Sequence, residues 1–172
     1  MSLITSFPPI ATPDARLLIL GSMPGIASLQ AQRYYAHPHN QFWPILGILL
    51  GFDPAEAYAI RCARLGAAHV AVWDVLQSCV RPGSLDADID ATSAIPNDFA
   101  AFLATQPQIR HIFFNGGAAE TLFRRHVLPT LPLAGISCQR LPSTSPAHAS
   151  LRPGAKQDAW RAALGGLLQP PA

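Results

Sequence analysis

The sequence lacks any hydrophobic run long enough to cross a bilayer. Its longest apolar stretches, such as residues 45–50, fall far short of the ~20 residues that a membrane helix needs. The first nine residues also lack the basic flank and the apolar centre of a secretion signal. These absences lead us to expect a cytoplasmic protein with no membrane partner.

Cysteine is scarce and its spacing is unsuited to a metal or a disulfide framework. The chain has three cysteines, at positions 62, 79 and 138, with no Cys-x-x-Cys pair among them. A zinc knuckle or an iron–sulfur cluster is therefore excluded, and we expect reduced thiols in a cytosolic interior. The cysteines therefore predict no metal site.

Charge is also sparse, at 13% of residues, whereas hydrophobic residues make up 49% of the 172 positions. This composition is typical of a packed globule and excludes disorder over most of the chain. The length predicts a single domain over residues 1–172, with an N-terminal arm at 1–15 and a C-terminal tail at 169–172. We expect a monomer.

The few charges are unevenly distributed along the chain. Residues 1–98 carry 5 basic and 8 acidic side chains, whereas residues 99–172 carry 7 basic and 2 acidic ones. The basic second half is suited to attracting phosphate, although coding bias accounts equally well for its arginines. Charge alone does not establish a nucleic-acid partner.

Four short runs of aliphatic and aromatic residues, separated by helical patterns, define the predicted architecture. The runs are 16–20, 69–74, 111–114 and 136–141. Strands that alternate with helices form parallel sheets with right-handed crossovers. We therefore predict an α/β fold, a three-layer α/β/α sandwich around a central four-stranded parallel sheet.

The intervening patterns predict five helices. Their expected ranges are 41–50, 54–65, 98–103, 118–126 and 155–168. The second of them has a capping-box pattern at 53–56, and Gly66 is expected to end it as a left-handed cap.

Polar or small residues follow each predicted strand directly. These segments are 21–25, Asp74, 115–117 and 143–146. In a parallel sheet the carboxyl ends of the strands share one edge, which is where open α/β sheets bind ligands. The glycine turn at 21–25 allows close backbone approach, but it is neither a Gly-x-Gly-x-x-Gly fingerprint nor a Walker loop.

Aromatic and amide side chains are concentrated at residues 34–43, with the sequence Tyr-Tyr-Ala-His-Pro-His-Asn-Gln-Phe-Trp. One interpretation is that Asn40 caps the following helix while Phe42 and Trp43 are buried. The other is that an aromatic ring and an amide, opposite the glycine turn, form a slot for a flat heterocycle. The spacing of His37 and His39 does not indicate a metal site.

These motifs together resemble the uracil-DNA glycosylase superfamily, and most closely its hypoxanthine-DNA glycosylase branch. The resemblance rests on Gly-Ser-Met-Pro-Gly at 21–25 and on Tyr-Tyr-Ala-His-Pro-x-Asn-x-Phe-Trp at 34–43. It continues through residues 73–75, 81–84, 114–116 and 141–147 in the expected order. It thus covers nearly the whole chain.

The resemblance implies a monofunctional DNA N-glycosylase that hydrolyses the bond to a flipped-out deaminated base and leaves an abasic site, with no metal and no organic cofactor. Hypoxanthine is the first expected substrate and uracil the second, in double-stranded or single-stranded DNA. Where other branches have a polar residue that positions water, this chain has Met23, so the catalytic amide is assigned to Asn40. Tyr35 is expected to stack on the base, and Asn115 to read its edge unless it serves only the turn.

The resemblance also implies the remaining site residues, and the departures from its pattern matter. Leu141-Pro142-Ser143 replaces the His-Pro-Ser of several branches, so no catalytic histidine is assigned to this loop. The other expected base-binding residues are Ser22, Met23 and Asp74. The expected DNA-binding residues are Ser143, Thr144, Ser145, Arg140, Arg152 and Lys156.

Two rival functions remain open from the sequence alone. One is a non-catalytic nucleic-acid or nucleotide-binding module on the same sheet. The other is a hydrolase of small molecules, which would act on free nucleosides faster than on DNA.

Overall fold

The computed structural model describes residues 2–168. Its strands are β1 (Leu3–Thr5), β2 (Leu17–Gly21), β3 (Val70–Asp74), β4 (Leu76–Val80), β5 (Ile95–Pro96), β6 (His111–Asn115) and β7 (Ser137–Leu141). Its α-helices are α1 (Ile26–Ala31), α2 (Phe42–Leu50), α3 (Tyr58–Ala67), α4 (Phe99–Thr105), α5 (Gly117–His126) and α6 (Pro153–Leu164).

The central sheet is parallel and has the strand order β3-β2-β6-β7. Strands β2 and β3 are buried along their whole length, as expected for continuous aliphatic runs that helices cover on both faces. The α/β fold and the four-stranded parallel sheet predicted from the sequence are confirmed.

Strand register fixes which residues meet at the carboxyl edge. Gly21 at the end of β2 pairs with Asp74 at the end of β3, and Leu20 pairs with Phe114. Asn115 therefore lies one residue beyond the last β2–β6 pair. The sheet thus brings the glycine turn, a carboxylate and an amide together within three neighbouring strands.

A second, antiparallel sheet, which the sequence patterns did not predict, has the order β1-β4-β5. Only Val75 separates β3 from β4, so one extended segment serves both sheets. The expected N-terminal arm contains β1 and is held further along by a bridge between Ile10 and Val72. The expected tail at 169–172 lies outside the described residues.

Three of the five expected helices begin and end within two residues of their predicted bounds, whereas α3 begins four residues late and α6 ends four residues early. The sequence patterns did not predict α1. Residues 53–56 form the capping-box turn, in which Glu56 Oε1 accepts a hydrogen bond from the Asp53 N–H, but α3 begins only at Tyr58. The expectation that Gly66 ends this helix as a left-handed cap is wrong. The helix runs through Gly66 to Ala67, and a Cβ at Gly66 would lie 2.9 Å from Thr12 Cγ2.

Within residues 2–168, no helix combines the length and the apolar character needed to span a membrane.

Candidate active site

A cavity of about 300 Å³ opens at the carboxyl edge of the central sheet. Its walls come from the carboxyl ends of β2, β3 and β6, from the segments that follow β2, β4 and β7, and from residues 34–40, including Tyr35 and Asn40. Polar and apolar groups both line it, as is usual for small-molecule pockets. The edge that the sequence indicated as the site therefore carries a cavity of ligand size.

The glycine turn at 21–25 forms one wall and is held by the segment that follows β4. The Ser22 hydroxyl donates to Asp86 Oδ1 at 2.5 Å, and the Arg81 guanidinium donates to the Pro24 carbonyl at 2.6 Å. Met23 lines the cavity and is 6% exposed. Ser22 therefore has a protein partner, and the turn presents its backbone and the Met23 side chain to the cavity.

Tyr35 lies in the cavity wall with an unusual backbone. Its φ of 55° is in the left-handed region, where side chains other than Asn and Asp are rarely found. One face of its ring stacks on Phe42, with the ring centroids 4.0 Å apart and the planes inclined by 21°. Burial, and next the Asp74 carboxylate, raise the pKa of the Tyr35 hydroxyl, so this phenol stays protonated.

Asn40 combines the two interpretations that the sequence left open. Its Oδ1 accepts a hydrogen bond of 2.9 Å from the Phe42 N–H, which closes a turn at the start of α2. The residue also lines the cavity with Tyr35. An amide has two donor hydrogens and a second acceptor lone pair, so the capping bond uses only part of its capacity.

Asn115 is engaged by Thr144 through both ends of its amide. Its Nδ2 donates to Thr144 Oγ1, and its Oδ1 accepts from the Thr144 N–H, each at 2.9 Å. The Thr144 carbonyl accepts in turn from the Gln41 N–H at 2.9 Å. Asn115 thus joins β6 to the loop after β7, and that loop to the start of α2.

The loop at residues 142–147, which the resemblance assigns to DNA, is held from below by α6. Lys156 is only 4% exposed and donates from Nζ to the Ser145 carbonyl at 3.1 Å, while Trp160 Nε1 donates to the Pro142 carbonyl at 2.9 Å. Lys156 therefore does not lie on the surface as a phosphate contact requires, because the interior and Ser145 already hold it. Thr144 is likewise buried, at 1% exposure.

The other expected DNA contacts are accessible. Arg140 and Arg152 are exposed, and Ser143 and Ser145 are partly exposed. Arg140 Nη1 lies 3.8 Å from Glu120 Oε1, a distance too long for a strong ion pair at the surface. These side chains lie on the loop or beside it.

Asp74 is the most perturbed carboxyl group that borders the cavity. It is 3% exposed, and its Oδ2 is buried with no hydrogen-bond partner among residues 2–168. Burial, and next the Asp86 carboxylate, raise the pKa of Asp74 to about 7, while Arg81 opposes the shift. This carboxyl is therefore mostly neutral below about pH 7 and mostly ionised above it.

Two residues that the sequence reasoning assigned no role, Arg81 and Asp86, anchor the glycine turn and set the charge around Asp74. Arg81 lies in the segment 81–84 that carried part of the resemblance, which was the available signal. Asp86 lies just beyond that segment, and nothing local marked it. Within residues 2–168, no three His, Cys, Asp or Glu side chains are grouped closely enough to hold a metal ion.

The family model of the Uracil DNA glycosylase superfamily matches residues 8–165 of this sequence. The chain belongs to the uracil-DNA glycosylase superfamily. Membership makes it a DNA glycosylase by class, a hydrolase of N-glycosidic bonds, and the resemblance seen in the motifs is confirmed.

Two curated relatives in this superfamily are described as hypoxanthine DNA glycosylases. One, from Methanosarcina barkeri, is 34% identical over 122 residues, covering 69% of this chain and 76% of the relative. The other, from Methanosarcina acetivorans, is 33% identical over 143 residues, covering 83% and 86%.

The fold of this superfamily member matches a solved structure over nearly its full length. A solution NMR structure of a Methanosarcina acetivorans protein, assigned as a candidate uracil DNA glycosylase, superimposes with a TM-score of 0.77 at 30% identity. The match covers 96% of this chain and 99% of the other.

Proposed function

We propose that this chain removes deaminated bases from DNA, hypoxanthine first and uracil second, and leaves an abasic site. The observation that carries the proposal is the cavity at the sheet edge, which Tyr35 and Asn40 line together. The names of the two curated relatives support hypoxanthine as the first substrate. The partner is DNA, in single or double strands, and the acting form is a monomer.

The base reaches the cavity by leaving the helix. Eversion costs a few kcal/mol, and stacking on an aromatic ring returns roughly 1 to 3 kcal/mol. Phe42 stacks on one face of the Tyr35 ring and holds its plane, and Tyr35 lines the cavity where the base would bind. A ring that is already held loses little entropy when the base stacks on it.

Hydrolysis breaks the bond between the base nitrogen and C1′ of the sugar, and a water oxygen then bonds to C1′. The electron pair of the broken bond leaves with the base, and the water proton balances its charge. An amide is too weak a base to deprotonate water in the ground state, so the proposed path is dissociative, with positive charge on the sugar. Asn40 positions the water or a sugar oxygen as this charge develops.

DNA contact falls to the loop at 142–147 and its exposed neighbours. Ser143 and Ser145 bind phosphate oxygens, and Arg140 and Arg152 add charge attraction. Thr144 and Lys156 act from beneath the loop, through Asn115 and the Ser145 carbonyl respectively.

Asn40→Ala and Asn40→Ser, each on an inosine-containing oligonucleotide, test the proposal. Ser retains the short polar cap that the Phe42 N–H needs but lacks the amide. We expect single-turnover excision to fall at least 100-fold in both variants, while affinity for the DNA stays within about threefold. His39→Ala, an exposed neighbour that does not line the cavity, is the control and should excise at the wild-type rate.

Wild-type excision by Asn40→Ser would reduce Asn40 to a helix cap. No excision by the wild-type chain on any damaged base would leave the rival, a non-catalytic binding module.

A further inference from the structure

Asp74 is an unsatisfied acid at the end of β3. Its side chain borders the cavity, yet it is 97% buried by area, since only 3% is exposed. No group among residues 2–168 hydrogen-bonds its Oδ2. Buried polar atoms in folded proteins are nearly always paired, so an unpaired one beside a cavity is available to bind a water or a ligand there.

A second unsatisfied group lies beside it. The Tyr35 hydroxyl is buried, and within residues 2–168 it too lacks a hydrogen-bond partner. Both groups crowd Gly21, where an added Cβ would lie 2.5 Å from Asp74 Oδ1 and 3.0 Å from the Tyr35 hydroxyl. Gly21 thus provides the space in which an acid and a phenol meet at the cavity.

The charged and titratable groups around Asp74 favour its neutral form. The Asp86 carboxylate faces it from the segment after β4 and disfavours a second negative charge, while Arg81 from the same segment opposes this effect. The hydroxyls of Tyr34 and Tyr35 interact electrostatically with Asp74, and both are neutral because burial raises their pKa; the Tyr34 hydroxyl donates to the Pro8 carbonyl. Burial of Asp74 itself is the largest effect.

We propose that Asp74, as a neutral carboxylic acid, reads the lactam edge of the everted base. The inference deepens the proposed function and rests on it. The sequence had offered Asn115 for this role, but both ends of that amide already hold Thr144. Asp74 lies on β3, on the other side of β2 from Asn115, and its Oδ2 makes no hydrogen bond among residues 2–168, whereas each end of the Asn115 amide already makes one.

The chemistry of the two edges is complementary. A neutral carboxylic acid has one O–H donor and one carbonyl acceptor. A lactam such as hypoxanthine or uracil has a ring N–H donor beside an exocyclic oxygen acceptor, so two hydrogen bonds form together. An ionised carboxylate retains the first bond but repels the exocyclic oxygen, which is why an apolar site that keeps an acid neutral is useful to an enzyme.

Asp74→Asn is the decisive variant, because a carboxamide keeps one donor and one acceptor at every pH. We expect wild-type excision of hypoxanthine, measured in single turnover, to fall about tenfold between pH 6 and pH 8 relative to Asp74→Asn. Taking the ratio removes the pH dependence of the base and of every other group that both proteins share. Superimposable profiles would overturn the proposal.

Asp86→Asn is the second variant. It keeps an acceptor for the Ser22 hydroxyl and removes the like charge, so the pH at which activity is half lost should move lower. If Asp74 had a purely structural role, the pH of half-maximal activity would be the same in Asp86→Asn and in the wild type. That result would contradict the proposal.

Equilibrium binding of free hypoxanthine separates this inference from the proposed function. The dissociation constant should rise about tenfold from pH 6 to pH 8 in the wild type and stay constant in Asp74→Asn. If the base binds in this way but no DNA is cleaved, the glycosylase function fails while the role of Asp74 stands. If DNA is cleaved but neither profile distinguishes the two proteins, the role of Asp74 fails alone.

Discussion

Gly21 shows how one missing side chain shapes the candidate site. It ends β2 opposite Asp74, and the space where its Cβ would stand is taken by the Asp74 carboxyl and the Tyr35 hydroxyl. Any larger residue must push one of these groups away, since a carbon and an oxygen do not approach to 2.5 Å without a bond.

Gly21→Ala should therefore abolish most excision of hypoxanthine, by at least tenfold, with little effect on binding to undamaged DNA. Gly25→Ala in the same turn is the matched control, because its Cβ would make only an ordinary contact of 3.5 Å with Ser84 Oγ. The measurement is the single-turnover rate of hypoxanthine excision by each variant, compared with that of the wild type. Equal rates for Gly21→Ala and the wild type would show that the Asp74–Tyr35 approach has no part in the reaction.

Some residue-scale properties were predictable and others were not. The end of a predicted strand placed Asp74 at the sheet edge, and the cluster at 34–43, together with the family resemblance, placed Tyr35 and Asn40 at the site. The sequence did not show which side chains hydrogen-bond to each other. The bonds between Asn115 and Thr144 and the burial of Lys156 therefore could not be predicted. A lysine near a loop is usually exposed, and only the packing of α6 beneath residues 142–147 makes this one an exception.

At the scale of elements, the loop after β7 depends on β6 for its shape. The amide of Asn115 satisfies two buried groups of Thr144, its N–H and its hydroxyl oxygen. These two hydrogen bonds hold in place the loop at 142–147, which contacts DNA in the proposed function.

Asn115→Ala should lower the free energy of unfolding by about 1–3 kcal/mol, because it leaves both Thr144 groups buried without a partner. Thr144→Val keeps the N–H bond and loses only the hydroxyl, so its cost should be smaller, about 1 kcal/mol. Urea denaturation at constant pH measures both. An Asn115→Ala protein as stable as the wild type would mean that water replaces the amide and that the loop is not held by it.

The sequence predicted the parallel strands because each is an aliphatic run with polar residues at its end. It missed β1, β4 and β5 for different reasons. β4 follows β3 after a single residue with no turn signal between them, whereas β1 and β5 span three and two residues and are too short to show a period. These segments are strands because they hydrogen-bond to segments distant in sequence, and not because their own residues favour a strand.

At the scale of the whole molecule, family membership and fold agree with the sequence analysis. The family model covers residues 8–165, which include both the glycine turn and the loop before α6. The preferred base could not be derived in the same way, because it depends on which polar atoms of the cavity remain unpaired. The cytoplasmic location, the single domain and the monomeric state stay predictions.

The most direct test is base excision from oligonucleotides that are identical except at one central nucleotide. Inosine, uracil and adenine are compared at pH 6, where Asp74 is neutral, and abasic sites are revealed as alkali-induced strand breaks. The account predicts fast cleavage at inosine, slower cleavage at uracil and none at adenine. An intact strand at both inosine and uracil, under conditions where the protein is folded, would contradict it.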